Sequence, residues 1–126
     1  MVNLNQKLGS MEYDDLISNL TPQPQVRGGT IAKGLAEFTL KRGTILEKDS
    51  SGKLHILGTD SDNEPYAILC DDVTVGTSND EKVAIYTAGC FNTNKVIADE
   101  GYTITDADFD ALRKYGIVFK AESAAR

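Results

Sequence analysis

The chain has 126 residues, with 13 Lys and Arg against 19 Asp and Glu and a formal net charge of −6. This length suits one domain with one modest core. The acidic balance excludes nonspecific binding to nucleic acid or anionic lipid, which requires clustered basic side chains. There is no apolar run of the ~18 residues that a membrane span requires, and no signal-peptide pattern, so we expect a protein made in a cytosol-like setting.

The first 25 residues differ in pattern from the rest, and we expect them to form an extended arm. They carry one apolar cluster and two prolines: Tyr13, Leu16, Ile17, Leu20, Pro22 and Pro24. The cluster has the spacing of one short helical turn, while the prolines favour extended backbone. A disordered tail is one interpretation. The clustering of apolar side chains favours the other, an arm that folds on a partner.

From Val26 onward the pattern is that of short β-strands. Residues 35–40 alternate apolar and polar side chains. Residues 44–57 predict a hairpin around the turn sequence Asp49-Ser50-Ser51-Gly52. The continuously apolar residues 66–70 and 82–86 predict two central, buried strands.

The later part of the chain predicts one helix. We expect a bend at residues 89–92 and a further short element at residues 95–98. Thr105 can cap a helix over residues 106–115, with Gly116 in the left-handed position after it. Val118 and Phe119 then continue as a strand before a polar tail, and Ile117 is expected to contact Leu112.

The candidate chemical residues do not form a catalytic or cofactor motif. His55 lies between apolar residues of a predicted strand and is expected to face solvent, and a nucleophilic pair with Cys90 has no supporting motif. Cys70 and Cys90 lie in apolar runs, so we expect both to be reduced and buried. The alternating acidic residues 60–64 do not match a calcium loop. We therefore predict no enzyme activity, no cofactor and no metal.

Four segments, taken in order, are similar to the lambda-type head decoration family of tailed bacteriophages. They are Leu40-Lys41-Arg42-Gly43-Thr44-Ile45-Leu46, Ala67-Ile68-Leu69-Cys70-Asp71-Asp72-Val73, Val83-Ala84-Ile85-Tyr86-Thr87-Ala88-Gly89-Cys90-Phe91-Asn92 and Leu112-Arg113-Lys114-Tyr115-Gly116-Ile117-Val118-Phe119. The resemblance spans about residues 13–120 and depends on the order and spacing of several weak motifs.

The resemblance implies a mainly β fold, a small β-barrel or β-clip-like domain with one short C-terminal helix and an extended N-terminal arm. The expected divisions are an arm at 1–25, a β-rich domain at 26–120 and a polar tail at 121–126. By position, the implied capsid contacts are Tyr13, Leu16, Ile17, Leu20, Pro22 and Pro24. The implied fold-defining positions are Arg42, Gly43, Gly89, Phe91, Asn92 and Gly116.

The function implied is that of a capsid cement protein on the outside of the expanded phage head. The expected partners are the major capsid protein and two further copies of the chain, without nucleic acid or membrane. Two alternatives stay open from the sequence. One is an arm-bearing phage tail or baseplate adaptor, and the other is a small hydrolase or ligand-binding barrel with a polar pocket around Cys90 or His55.

Overall fold

Strands provide most of the regular structure. The computed structural model describes residues 16–19, 23–60 and 62–120. Its strands are β1 (Ile17–Asn19), β2 (Gln25–Ile31), β3 (Phe38–Leu40), β4 (Ile45–Lys48), β5 (Leu54–Ile56), β6 (Glu64–Leu69), β7 (Val73–Val75), β8 (Glu81–Asn92) and β9 (Ile117–Lys120). A 3-10 helix at Thr93–Lys95 and an α-helix, α1 (Asp106–Arg113), complete the regular elements of the described residues. The prediction of a mainly β chain with one short C-terminal helix is confirmed.

Five of the strands close into a barrel. β8, β2, β5, β4 and β6 are neighbours in that order, and β6 pairs with β8 to complete the ring. The pairings are antiparallel except that of β2 with β5, which is parallel and joins the two strands at Ile31 and Leu54. β3 and β7 form a separate two-stranded ribbon. The predicted barrel is therefore present, and its shortest strand pairing is that of β2 with β5.

The central strand is β8, which has 12 residues. Its first part pairs with β2 and β6, and its last residues pair with β1 and β9. The predicted bend at residues 89–92 is wrong, because hydrogen bonding to β1 and β9 keeps this segment extended. Gly89 has a φ of +145°, which a side-chain-bearing residue rarely adopts.

The central strands are buried on both faces. Successive side chains of a strand point to opposite faces, and in β8 Ile85 and Tyr86 join two different apolar clusters. We call the clusters core A and core B. Core A contains Leu16, Ile45, Leu57, Ile68, Cys70, Tyr86, Phe91, Leu112 and Ile117. Core B contains Ile31, Leu40, Leu46, Leu54, Ala67, Leu69, Val75 and Ile85. The prediction that residues 66–70 and 82–86 form central strands is confirmed for β6 and β8.

The predicted hairpin is also confirmed. β4 and β5 are antiparallel, with Leu46 opposite Ile56. In the turn, Asp49 Oδ1 accepts hydrogen bonds from the backbone N–H groups of Ser51 at 2.8 Å and Lys53 at 3.0 Å. Gly52 takes a positive φ of +88°. The turn residues therefore act through the side-chain-to-backbone bonds that favour them in turns.

Helix α1 has the predicted N-terminal cap at Thr105. It ends at Arg113, two residues before the predicted end. The Thr105 side chain accepts a hydrogen bond from the Asp108 N–H, and the Asp108 carboxylate accepts one from the Thr105 N–H. This reciprocal pair is a capping box. Gly116 has a φ of +95°, and Leu112 and Ile117 both lie in core A.

Three further sequence predictions differ from the structure. The predicted helical turn at Leu16–Leu20 is wrong for residues 17–19, which form β1 because they pair with β8. The predicted strand at 35–40 is shorter, since only residues 38–40 find a partner, in β7. The short element predicted at 95–98 begins earlier, as the 3-10 helix, and continues as a single bridge from Ile97 to Thr44.

We expect Thr105→Ala to lower the free energy of unfolding by about 0.5–2 kcal/mol, because it removes the side-chain cap of α1. Urea denaturation followed by far-UV circular dichroism measures this. Thr103→Ala, which changes an exposed residue two positions earlier, is the matched control and is expected to be neutral. Equal stability of the Thr105 and Thr103 variants would contradict the capping role.

Candidate protein-binding surface

The N-terminal segment is tied into the domain from Leu16 onward. The Asn92 N–H donates to the Leu16 carbonyl at 2.7 Å, and Ile17 lies opposite Phe91. The Leu16 side chain is only 2 % exposed and belongs to core A. Residues 16–19, which the sequence pattern assigned to an arm outside the core, are therefore part of the folded domain.

The six capsid-contact candidates are in different environments. Leu16 is buried within this chain, so its side chain is not at the surface of the described domain. Ile17 is half-buried against core A, and Pro24 is half-buried. A Cβ added to Gly89 would lie 3.4 Å from Pro24 Cα, which shows how closely the two backbones approach. Tyr13, Leu20 and Pro22 lie outside the described residues.

Arg42 connects the loop before β4 to the two central strands. Its Nη1 donates to the Cys70 carbonyl at 2.8 Å and to the Tyr86 hydroxyl at 2.8 Å. The guanidinium also lies 5.5 Å from the centroid of the Tyr86 ring. The Arg42 N–H donates to Asp72 Oδ1 at 2.7 Å. This residue therefore holds the ends of β6 and β7 and the middle of β8 together.

Two glycines meet backbone constraints that other residues do not tolerate. Gly43 has a φ of +96°, donates its N–H to the Leu69 carbonyl at 3.0 Å, and would place a Cβ 3.0 Å from the Lys95 carbonyl. At Gly89 a Cβ would lie 2.9 Å from the ring of Phe91. Substitution at either position therefore requires both an unfavourable φ and a displaced neighbour.

Phe91 and Asn92 join the end of β8 to its surroundings. Phe91 is fully buried, and its ring lies 5.2 Å from that of Tyr86 and 6.3 Å from that of Phe119 between centroids. Asn92 Oδ1 accepts a hydrogen bond from the Asn94 N–H at 3.0 Å and so caps the 3-10 helix. Both residues therefore stabilise the point where β1 and β9 join β8.

The histidine and the cysteines have structural environments. His55 Nε2 lies 2.7 Å from Asp49 Oδ2, and this hydrogen bond is the main cause that lowers the pKa of Asp49. The ring is half-buried, so the prediction of a solvent-facing His55 holds only in part. Cys70 and Cys90 are both free and buried, as predicted. Burial raises the pKa of the Cys70 thiol to about 12, so it is a neutral thiol at physiological pH.

Glu47 is a buried carboxylate that the sequence pattern did not reveal. It is 1 % exposed and accepts hydrogen bonds from Gly58 N–H at 3.0 Å, Asp60 N–H at 2.9 Å and Asn63 Nδ2 at 2.8 Å. The available signal was the alternation of side chains along β4, which places Glu47 on the same face as the buried Ile45. The carboxylate holds the loop after β5 against the barrel, because a buried charge needs hydrogen-bond donors around it.

The structure also bears on metal binding and on membrane insertion. Among residues 16–19, 23–60 and 62–120, no group of three or more His, Cys, Asp or Glu side chains is arranged to hold a metal ion. Within the same part of the chain, no helix is long and apolar enough to cross a membrane.

Exposed apolar side chains and an open strand edge are features suited to binding protein. Val26 is 57 % exposed and Leu35 is fully exposed at the tip of the loop after β2. β2 pairs with β5 only at Ile31 and otherwise pairs only with β8. Its other edge at residues 25–30 therefore has no strand partner among the described residues. Unpaired strand edges are sites where an extended segment of another chain can add.

The fold and these contacts are those of a domain built around buried strands, with exposed apolar side chains and an open strand edge at its surface. The family model described as bacteriophage lambda head decoration protein D matches residues 7–117. No curated protein matches the chain. The chain belongs to this family, and it is therefore a bacteriophage head decoration protein, a structural component of the capsid.

We expect Arg42→Lys to lower the free energy of unfolding by about 1–3 kcal/mol, because the shorter Lys side chain does not reach the position from which Arg42 Nη1 bonds to Cys70 and Tyr86, and so leaves buried acceptors unsatisfied. Chemical denaturation measures the change. The exposed neighbour variant Lys41→Arg is the control and is expected to be near neutral. An Arg42→Lys variant as stable as the parent chain would refute this account.

We expect Cys70 to resist maleimide at pH 7.5 in the native chain and to react once urea unfolds it, because its thiol is buried and its pKa is raised to about 12. Peptide mass mapping assigns the label to Cys70 or Cys90 without any substitution. The same pKa shift predicts a loss of stability as pH rises from 9 toward 12, where the unfolded thiol loses its proton first. Rapid native labelling of Cys70 would contradict both expectations.

Proposed function

We propose that this chain binds the outer surface of the expanded phage head as a homotrimer and stabilises the shell against the internal pressure of packaged DNA. The observation that carries the proposal is the family match over residues 7–117, which names head decoration. The partners are the major capsid protein and two further copies of the chain. The tail or baseplate alternative gains no support from that match.

The segment that docks on the capsid comprises residues 1–15, with residues 20–24 as a second contact. Tyr13, Leu20, Pro22 and Pro24 are its contact candidates. Leu16 and Ile17 serve instead as the root of the arm, and their support is the burial of Leu16 and the pairing of β1 with β8. An arm that transmits force to the domain needs such a root, because a load on a loose tail would not reach the core.

The binding mode that we propose is addition of the arm as a strand to a sheet edge of the capsid protein. Main-chain hydrogen bonds then supply affinity, and a few apolar side chains supply specificity. A single arm binds weakly in this mode. A trimer with three arms raises the combined affinity by about 10²–10⁴-fold over one contact through effective concentration alone.

Placement on the outer surface agrees with the charge of the chain. The formal net charge of −6 disfavours contact with packaged DNA, whose phosphates bind clustered Lys and Arg. The same charge keeps unbound copies soluble in the host cytoplasm before assembly. These two points support an exterior position and do not depend on any single residue.

We expect deletion of residues 1–15 to weaken binding to purified expanded shells at least about tenfold, since the loss of three arms removes the multivalent gain. Cosedimentation with shells measures the affinity. The truncated chain is expected to keep a β-sheet circular dichroism spectrum and cooperative unfolding, because β1 and all later strands remain. Removal of the polar tail, residues 121–126, is the matched control and is expected to leave binding intact.

The position of the cut matters for this test. Deletion of residues 1–25 would also remove β1 and the buried Leu16, so loss of binding would be confounded with loss of stability. Full affinity of a folded chain that lacks residues 1–15 would refute docking through the arm. Full affinity without any delay of shell disruption on heating would refute the stabilising role.

A further inference from the structure

Two tyrosines, the half-buried Tyr66 of β6 and the exposed Tyr115 after α1, form a ridge on the surface of the domain. The rings of Tyr66 and Tyr115 meet edge to face, with centroids 5.4 Å apart and planes at 72°. Tyr115 is 43 % exposed although it is a large aromatic residue. Lys48 Nζ lies 4.2 Å from the centroid of the Tyr66 ring. Exposed aromatic side chains held rigid by their neighbours are typical anchors of protein interfaces.

The two sides of this tyrosine ridge carry opposite charges. One side is a hollow of about 240 Å³ whose charged lining residue is Arg27. The other side is a hollow of about 450 Å³ lined by four acidic residues, Asp49, Asp60, Asp62 and Glu64, and by one basic residue, Lys48. We call these the basic side and the acidic side. Both hollows share Tyr66 and Tyr115 as a common wall.

Three charges beside the ridge form no ion pair within the described chain. Arg27 is exposed and pairs with no described residue, and the same is true of Asp62 and Glu64. They differ in this respect from Lys53, which pairs with Asp80 at 2.8 Å. A guanidinium beside tyrosine faces and carboxylates can combine stacking with forked hydrogen bonds.

We propose that the tyrosine ridge is a contact between copies of this chain, in which the basic side of one copy faces the acidic side of the next. Arg27 of one copy enters the acidic hollow beside Tyr66 and Tyr115 and pairs with Asp62. The inference builds on the homotrimer proposed above and names its contact surface. A second copy is favoured because one chain carries both complementary halves.

Such a contact joins unlike surfaces, and contacts of this kind close into a ring when the rotation between copies permits it. Three copies placed around an axis near the ridge would each use one basic side and one acidic side. Every basic side would then face an acidic side. This closure distinguishes the proposal from capture of a basic peptide, which would fill the acidic side and leave Arg27 unused.

A charge exchange tests the pairing. We expect Arg27→Glu and Asp62→Arg each to raise the trimer dissociation constant about tenfold or more, because each places like charges together. The double variant R27E/D62R is expected to restore assembly to near the parent level. Lys95→Glu changes an exposed charge outside the ridge and serves as the matched control. Single variants without effect, or a double variant without recovery, would overturn the proposal.

The measurement uses full-length chain, both free at high concentration and bound to expanded shells. The variant R27C/D62C is treated with a short bis-maleimide and separated on a denaturing gel, with R27C/T77C as the control pair. Covalent dimers and trimers that form with R27C/D62C and not with R27C/T77C support the contact. Equal products with both pairs, no products, or products with the capsid protein alone would overturn it.

Cosedimentation of each variant with shells separates this inference from the proposed function. If the R27C/D62C variant binds shells but forms no crosslink between copies, the ridge contact is refuted and head binding is still supported. Parent chain that fails to bind shells would refute the proposed function, while crosslinked trimers of the free chain would still support the ridge contact.

Discussion

The fold depends on one strand, β8, whose two edges are hydrogen-bonded and whose two faces are buried. β2 and β6 pair with its first part, and β1 and β9 pair with its last part. A slip of one residue would exchange every side chain between core A and core B. Because Ile85 and Tyr86 differ in size and polarity, that exchange would leave the Tyr86 hydroxyl without Arg42. The register of β8 is therefore strongly specified.

A chain of aromatic contacts continues from β8 to the helix. Phe91 contacts Tyr86 and Phe119, and the Phe119 ring lies 4.6 Å from that of Phe109 in α1. Leu16 joins the same core from the N-terminal side. The root of the arm and the C-terminal helix are thus stabilised by one set of contacts. A pull on β1 would therefore act on core A.

Local patterns predicted those elements whose signals are themselves local. The turn at Asp49 and the cap at Thr105 act over two to four residues, so the sequence contains the whole interaction. The apolar runs of β6 and β8 are a similar case, since burial on both faces removes polar positions. Element type and approximate bounds could therefore be predicted in these regions.

Contacts between distant segments could not be predicted in the same way. Leu16 has helical spacing with its neighbours, but pairing with β8, more than 70 residues later in the sequence, determines its conformation. Glu47 looks like a surface residue until Gly58, Asp60 and Asn63 surround it with donors. The tyrosine ridge was missed for the same reason, since Tyr66 and Tyr115 meet only through the fold.

The net charge of −6 limits where copies of this chain can meet. At physiological ionic strength, charges more than about 8 Å apart are largely screened, so the overall repulsion between neighbouring copies is weak. Charges in direct contact are not screened in this way. Self-association is therefore favoured by a local surface on which opposite charges meet. Arg27 beside the tyrosine ridge contributes to such a surface, because its charge is exposed, is not used within the described domain, and lies next to an acidic hollow.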